Sequence, residues 1–86
     1  MNEWIEKDGV LCKTFAFNSF EAAMEWMSIL TKAITKMNHH PVWSNTYNKV
    51  TVQLTTHDTG NTITEKDRQL AFLMDEVSSS FSMVKG

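Results

Sequence analysis

The sequence lacks most of what braces a small protein. It has a single cysteine, Cys12, so no internal disulfide can form. No Cys/His array has the spacing of a structural zinc site. One proline and three glycines are too few for a low-complexity chain, and there is no repeat and no linker. No run approaches the roughly 18 consecutive apolar residues of a membrane-spanning helix. Neither sign of charge dominates: 8 basic and 10 acidic side chains leave a formal charge of -2. A nucleic-acid footprint needs a basic excess instead. The opening Met-Asn-Glu-Trp-Ile-Glu-Lys has neither the charged nor the apolar region of a signal peptide. With the free cysteine, this gives the expectation of a cytoplasmic protein.

What is present is a foldable composition, 42% hydrophobic and 21% charged over 86 residues, in contrast to a disordered chain. The length implies a single domain, 1–86. A domain this small buries only about 60% of the surface its unfolded chain exposes. With disulfide and metal excluded, oligomerisation is the remaining support. Three Trp, five Phe and six Met can serve an interface as well as a core.

Periodicity gives the element order. Trp4–Glu6 and Val10–Phe17 flank Lys7-Asp8-Gly9, and Asp-Gly between strand-like runs marks a hairpin because both residues tolerate positive φ. In the second arm Leu11, Phe15 and Phe17 share one face, and Cys12, Thr14 and Ala16 the other. Asn18 followed by Glu21 reads as a capping box. Phe20, Met24, Met27, Leu30, Ile34 and Met37 then recur at helical spacing, which predicts a helix over 18–38. Trp26, Ile29 and Ala33 widen its apolar arc beyond what one sheet covers, which suggests a second partner. Pro41 ends the helical region by disfavouring α geometry at His40. A short strand over 42–45, a turn over 46–48 and a strand over 49–56 follow, the last alternating Val50, Val52 and Leu54 against Lys49, Thr51 and Gln53. Residues 57–61 form a loop. Thr64 and Asp67 cap a second helix with an apolar face of Leu70, Leu73, Met74, Val77, Phe81 and Val84, weakened late by Ser78, Ser79 and Ser80. The order β-β-α-β-β-α is an α+β fold: a four-stranded antiparallel sheet with two helices on one face.

All three histidines lie where an element gives way to a loop, a common place for functional residues. An imidazole can give or take a proton near neutrality. A histidine pair can equally just end a helix, where cations are mildly favoured. Metal binding finds little support, because adjacent residues such as His39 and His40 point apart, whereas helical ligand pairs sit at i, i+4. Nothing in the sequence marks Cys12 as an activated nucleophile. The lone Gly60 makes no phosphate loop. Acid–base chemistry by imidazoles around a pocket remains.

Lys36-Met37-Asn38-His39-His40-Pro41, then Trp43, Tyr47-Asn48-Lys49-Val50, Thr56-His57-Asp58 and Thr64-Glu65-Lys66-Asp67 resemble the pterin-4a-carbinolamine dehydratases. The resemblance runs from about Trp4 to Val77, and the joint pattern is far more specific than His-His-Pro alone. It implies dehydration of 4a-hydroxytetrahydropterin, a product of aromatic amino-acid hydroxylases, to quinonoid dihydropterin, with no metal or organic cofactor. It implies that His39, His40 and His57 line the pterin pocket as catalytic groups. Asn38, Thr55, Thr56 and Asp58 match positions that contact the pterin, several through backbone atoms. Asp58 is also placed to orient His57. It further implies a homodimer or homotetramer, while the charge balance and the lack of a long apolar run leave neither nucleic acid nor membrane as an expected partner. Animal members also act as dimerisation cofactors of a transcription factor, so a non-catalytic interaction protein of the same fold is the alternative. The chain departs from the family twice. Thr35 stands where an acid is usual four positions before the first histidine of the pair, where helical spacing would set that acid beside His39 and raise its basicity. A helix common before the first strand is also expected to be missing, since Trp4 falls where it would already have ended.

Overall fold

The structure, a computed structural model, describes residues 3–81. Strands β1 (Ile5–Lys7) and β2 (Val10–Ala16) are followed by α1 (Phe20–Met37), β3 (Val42–Thr46), β4 (Lys49–Leu54), a 3₁₀ turn over His57–Thr59 and α2 (Glu65–Ser78). All strands pair antiparallel in the spatial order β1-β2-β4-β3. Asp8 and Gly9 both take positive φ at the first hairpin, the left-handed geometry that a tight two-residue turn of this twist requires.

The sheet carries the alternation expected of it. Leu11, Phe15, Val50, Val52 and Leu54 are buried against the helices. Lys13 shares that inner face, and its ammonium lies over the Trp4 and Phe15 rings, 5.8 and 4.7 Å from their centroids. Its ammonium meets Asp75 Oδ1 of α2 at 2.7 Å, and the Trp4 indole N–H donates to Asp75 Oδ2 at 3.0 Å. A charged side chain is thereby accommodated on a core face by burying its stem and pairing its head. Phe15, Phe17, Trp26, Trp43 and Phe81 make a continuous aromatic cluster. The Trp26 indole donates to the Met74 carbonyl at 3.2 Å, which ties α1 to α2.

Three expectations about the helices need correction. The cap of α1 is Ser19, not Asn18: Ser19 is extended (φ -151, ψ 164) and its hydroxyl accepts the Ala22 N–H, so the helix starts one residue later than a box built on Asn18. The buried stripe is Ala23, Trp26, Leu30 and Ile34. Trp26 is thus at its centre, while Phe20, Met24 and Ile29 stay exposed on its flanks. The apolar arc is wider than the sheet covers, and the bulky indole decides which part faces inward. Finally, α2 ends at Ser78, where Ser78, Ser79 and Ser80 each donate a hydroxyl to the carbonyl three residues earlier. Leu70 and Met74 are buried and Leu73, Val77 and Phe81 pack at the core margin, while Val84 lies outside the described residues.

Candidate functional site

The site is arranged by the end of α1. Asn38 caps the helix in left-handed geometry (φ 52, ψ 43), its N–H bonded to the Ile34 and Thr35 carbonyls. Asparagine adopts this region more readily than most residues. A left-handed residue breaks the helical phase, so the two histidines after it no longer follow i, i+4 spacing. His39 turns inward and His40 outward.

His39 is buried. Its Nε2 lies 2.6 Å from Asp67 Oδ1. The carboxylate of Asp67 is fully buried, and its second oxygen accepts from the Thr56 hydroxyl at 2.7 Å and the Thr64 N–H at 2.9 Å. The Thr64 hydroxyl lies 2.7 Å from Thr56 Oγ1. Asp67 therefore joins the end of α1, the end of β4 and the start of α2. Burial pushes its pKa up, but hydrogen bonds from His39, the Thr64 backbone and Thr56, with the attraction of His39, outweigh burial and hold the carboxyl below its ordinary value. The capping acid anticipated for α2 is thus also the anchor of His39.

His40 is exposed and lines an open cleft of about 270 Å³ with Thr31, Ile34, Thr35, Pro41 and Trp43. Thr35 therefore shares a cleft with His40; the expected neighbour, His39, faces Asp67 because Asn38 interrupts the helix. Ile34 and Trp43 supply apolar walls, and the threonines supply hydroxyls.

His57 is exposed at the head of the 3₁₀ turn, and its Nδ1 lies 2.7 Å from Asn61 Oδ1. The side chain that meets the His57 ring is thus Asn61 and not Asp58, which is exposed one residue along the same turn. Thr55 donates its hydroxyl to the Gly9 carbonyl at 2.8 Å, fastening β4 to the first hairpin turn. Thr56 is buried on Asp67. The seven expected residues therefore divide into groups. Thr56 meets His39 through Asp67, His40 opens into the α1–β3 cleft, and Thr55 and His57 sit on the β4 side with Asp58. Asn38 serves as the cap that aims the histidine pair. Sequence reading missed Asn61, Thr31 and Ile34. Asn61 carried a signal, since Gly-Asn after a histidine turn is a site for left-handed backbone. Thr31 and Ile34 carried a helical phase, recognisable once Thr35 was assigned to the site.

The profile of the family described as pterin 4 alpha carbinolamine dehydratase matches residues 1–77. A protein of Ruegeria pomeroyi, provisionally named a pterin-4-alpha-carbinolamine dehydratase, is 46% identical over 78 residues, covering 88% of this chain and 79% of its own. The crystal structure of a transcriptional coactivator/pterin dehydratase from Brucella melitensis superposes with a TM-score of 0.82 at 34% identity, over 86% of this chain and 80% of the other. A pterin dehydratase-like protein identified as a RuBisCO assembly factor in the alpha-carboxysome shares the fold, with a TM-score of 0.71 at 22% identity over 90% and 88% of the two chains.

Proposed function

The chain belongs to the pterin 4 alpha carbinolamine dehydratase family, and on that premise we propose that it dehydrates 4a-hydroxytetrahydropterin to quinonoid dihydropterin. The observation that carries the reading is the exposed imidazole of His40 in a cleft walled by Ile34 and Trp43. A flat heteroaromatic bicycle suits apolar walls with a few polar groups that fix its orientation.

In the reaction the C4a–O bond breaks, the 4a-hydroxyl leaves as water, N5 loses its proton and a C4a=N5 double bond forms. One imidazolium gives a proton to the departing hydroxyl and one neutral imidazole takes the N5 proton, each step worth roughly 10²–10⁴-fold. We assign these two roles to His40 and His57, which are exposed. His39, fastened to Asp67, holds the pocket wall and the register of His40. Asn38, Thr55, Thr56 and Asp58 frame the pterin in this reading, with Thr55 offering backbone groups while its hydroxyl is engaged and Thr56 shaping the pocket through its bonds to Asp67 and the 57–62 loop. The protein works as a cytoplasmic homodimer or homotetramer. The test is spectroscopic: carbinolamine is generated in situ and its decay followed with wild type and a His40→Ala, His57→Ala double variant. The double variant should lose the acceleration, and equal rates would sink the assignment.

A second reading has its own observation. Phe20 and Met24, one turn apart, are exposed on one flank of α1, with Ile29 exposed on the other, and adjoining exposed apolar side chains are a feature of protein-binding surfaces. In that reading the chain is a non-catalytic interaction protein of the same fold. A stable protein partner recovered by pull-down, without pterin turnover, would favour it.

A further inference from the structure

We propose that Asn61 is the positioning residue of His57, holding its imidazole in the tautomer protonated on Nδ1 and leaving the lone pair on Nε2. The consequence for turnover rests on the catalytic reading of His57 above. The tautomer itself does not.

The chemistry follows from the contact. Asn61 Oδ1 lies 2.7 Å from His57 Nδ1. A side-chain amide oxygen has lone pairs and no hydrogen, so the ring nitrogen facing it must be the donor. The hydrogen bond made by one ring nitrogen decides what the other can do. With Nδ1–H committed to Asn61, the neutral ring can accept a proton only at Nε2. An amide does this without placing a negative charge beside the ring, as Asp58 would have done.

Asn61 is itself held from two directions. Its φ is 61, a left-handed conformation that asparagine tolerates. Its N–H donates to the Thr56 carbonyl at 3.1 Å, and the adjacent Thr62 exchanges hydrogen bonds with Thr56 in both senses, at 2.9 and 3.3 Å. Gly60 N–H closes the turn onto the His57 carbonyl at 3.0 Å. From the other side, the Asn61 carbonyl oxygen lies against Gly9 so closely that a Cβ there would overlap it. The β1–β2 turn thus presses on the loop that orients His57, and Thr55 fastens that same turn to β4 through the Gly9 carbonyl. An acceptor fixed this firmly can select one ring orientation and one tautomer.

The experiment is long-range ¹H–¹⁵N spectroscopy of the full chain labelled at histidine, at a pH where the ring is neutral, with His57 assigned from a His57→Gln sample. Wild type should show the Nδ1–H tautomer for His57. Asn61→Gly accepts the left-handed backbone but removes the acceptor. It should lose that signature and lower kcat about 10–100-fold, taking as scale the loss of a group that orients a metal-bound imidazole, with a smaller change in KM. Asn61→Asp restores an acceptor, and should restore both the signature and most of the turnover. An Nε2–H tautomer in wild type, or an Nδ1–H signature that survives in Asn61→Gly, overturns the inference. A wild-type chain with no turnover at all would refute the proposed reaction, and the spectra would still decide the role of Asn61.

Discussion

Asp67 concentrates more of the architecture in one side chain than any other described residue. Its two oxygens accept from His39, Thr56 and the Thr64 N–H, and it is fully buried. Removing one partner of a buried charge-assisted network costs about 3–5 kcal/mol, because the others are left unsatisfied. Asp67→Ala should destabilise by that amount at neutral pH, as read from urea midpoints. The sign of the pH dependence follows from the lowered pKa. A carboxyl depressed in the folded state adds stability above its unfolded value of roughly 3.9, and that stability is lost as the pH falls through the folded value. The gap between wild type and Asp67→Ala should therefore narrow below about pH 4, and a constant gap would contradict the assignment. Thr35 gives a second test at this scale. It lines the cleft with His40, so Thr35→Glu sets a carboxylate beside that ring. An attraction of about 1 kcal/mol, that of two unit charges about 4 Å apart in bulk water, corresponds to roughly fivefold. The variant should turn over faster by about that factor, with its pH–rate profile moved to higher pH; an unmoved profile would show that the two side chains do not interact.

At the scale of elements, the decisive feature is the left-handed stop at Asn38. Asn38→Gly should fold normally and keep its KM. Asn38→Ala should be less stable than Asn38→Gly by about 1–2 kcal/mol in thermal unfolding, the cost of left-handed geometry for a residue with a Cβ. It should also raise KM, since any continuation of α1 rotates His39 and His40 out of place. Equal behaviour of the two variants would contradict this role. The elements themselves were legible: Asp8-Gly9 signalled its hairpin, the period-2 pattern of Lys49–Leu54 its strand, and Thr64 with Asp67 the start of α2. The cap of α1 was misplaced because Asn18 and Ser19 are both good capping residues, and only the backbone turn decides between them. The helix face was misjudged because Phe20, Met24 and Ile29 satisfy helical spacing as well as Trp26 does. Which apolar residues face inward depends on how the indole fits between sheet and α2, a tertiary fact.

For the whole molecule, the order β-β-α-β-β-α followed from alternating periods. The links within the site did not. His39 and Asp67 are 28 residues apart, and Thr56 and Asp67 are 11 apart; no local pattern connects them. Nor did spacing reveal that the His57 ring meets Asn61 rather than Asp58, since a three-residue difference within one turn is resolved only by its backbone. The exposed flanks of α1 bear on assembly. If a second copy covers them, light scattering at micromolar concentration should give two or four times the 9.9 kDa chain mass, and Met24→Glu should shift the mass downward while the fold persists. A mass of one chain would remove the assembly argument.

Catalysis in this protein requires that the cleft at His40 and the turn at His57 act together on a pterin carbinolamine. The most direct measurement is the decay of freshly generated 4a-hydroxytetrahydropterin, followed spectroscopically with wild type, with the His40→Ala, His57→Ala variant and without protein. Acceleration is expected from wild type alone, with the double variant at the protein-free rate. A wild-type trace that overlays the protein-free one, or a double variant as fast as wild type, would contradict it.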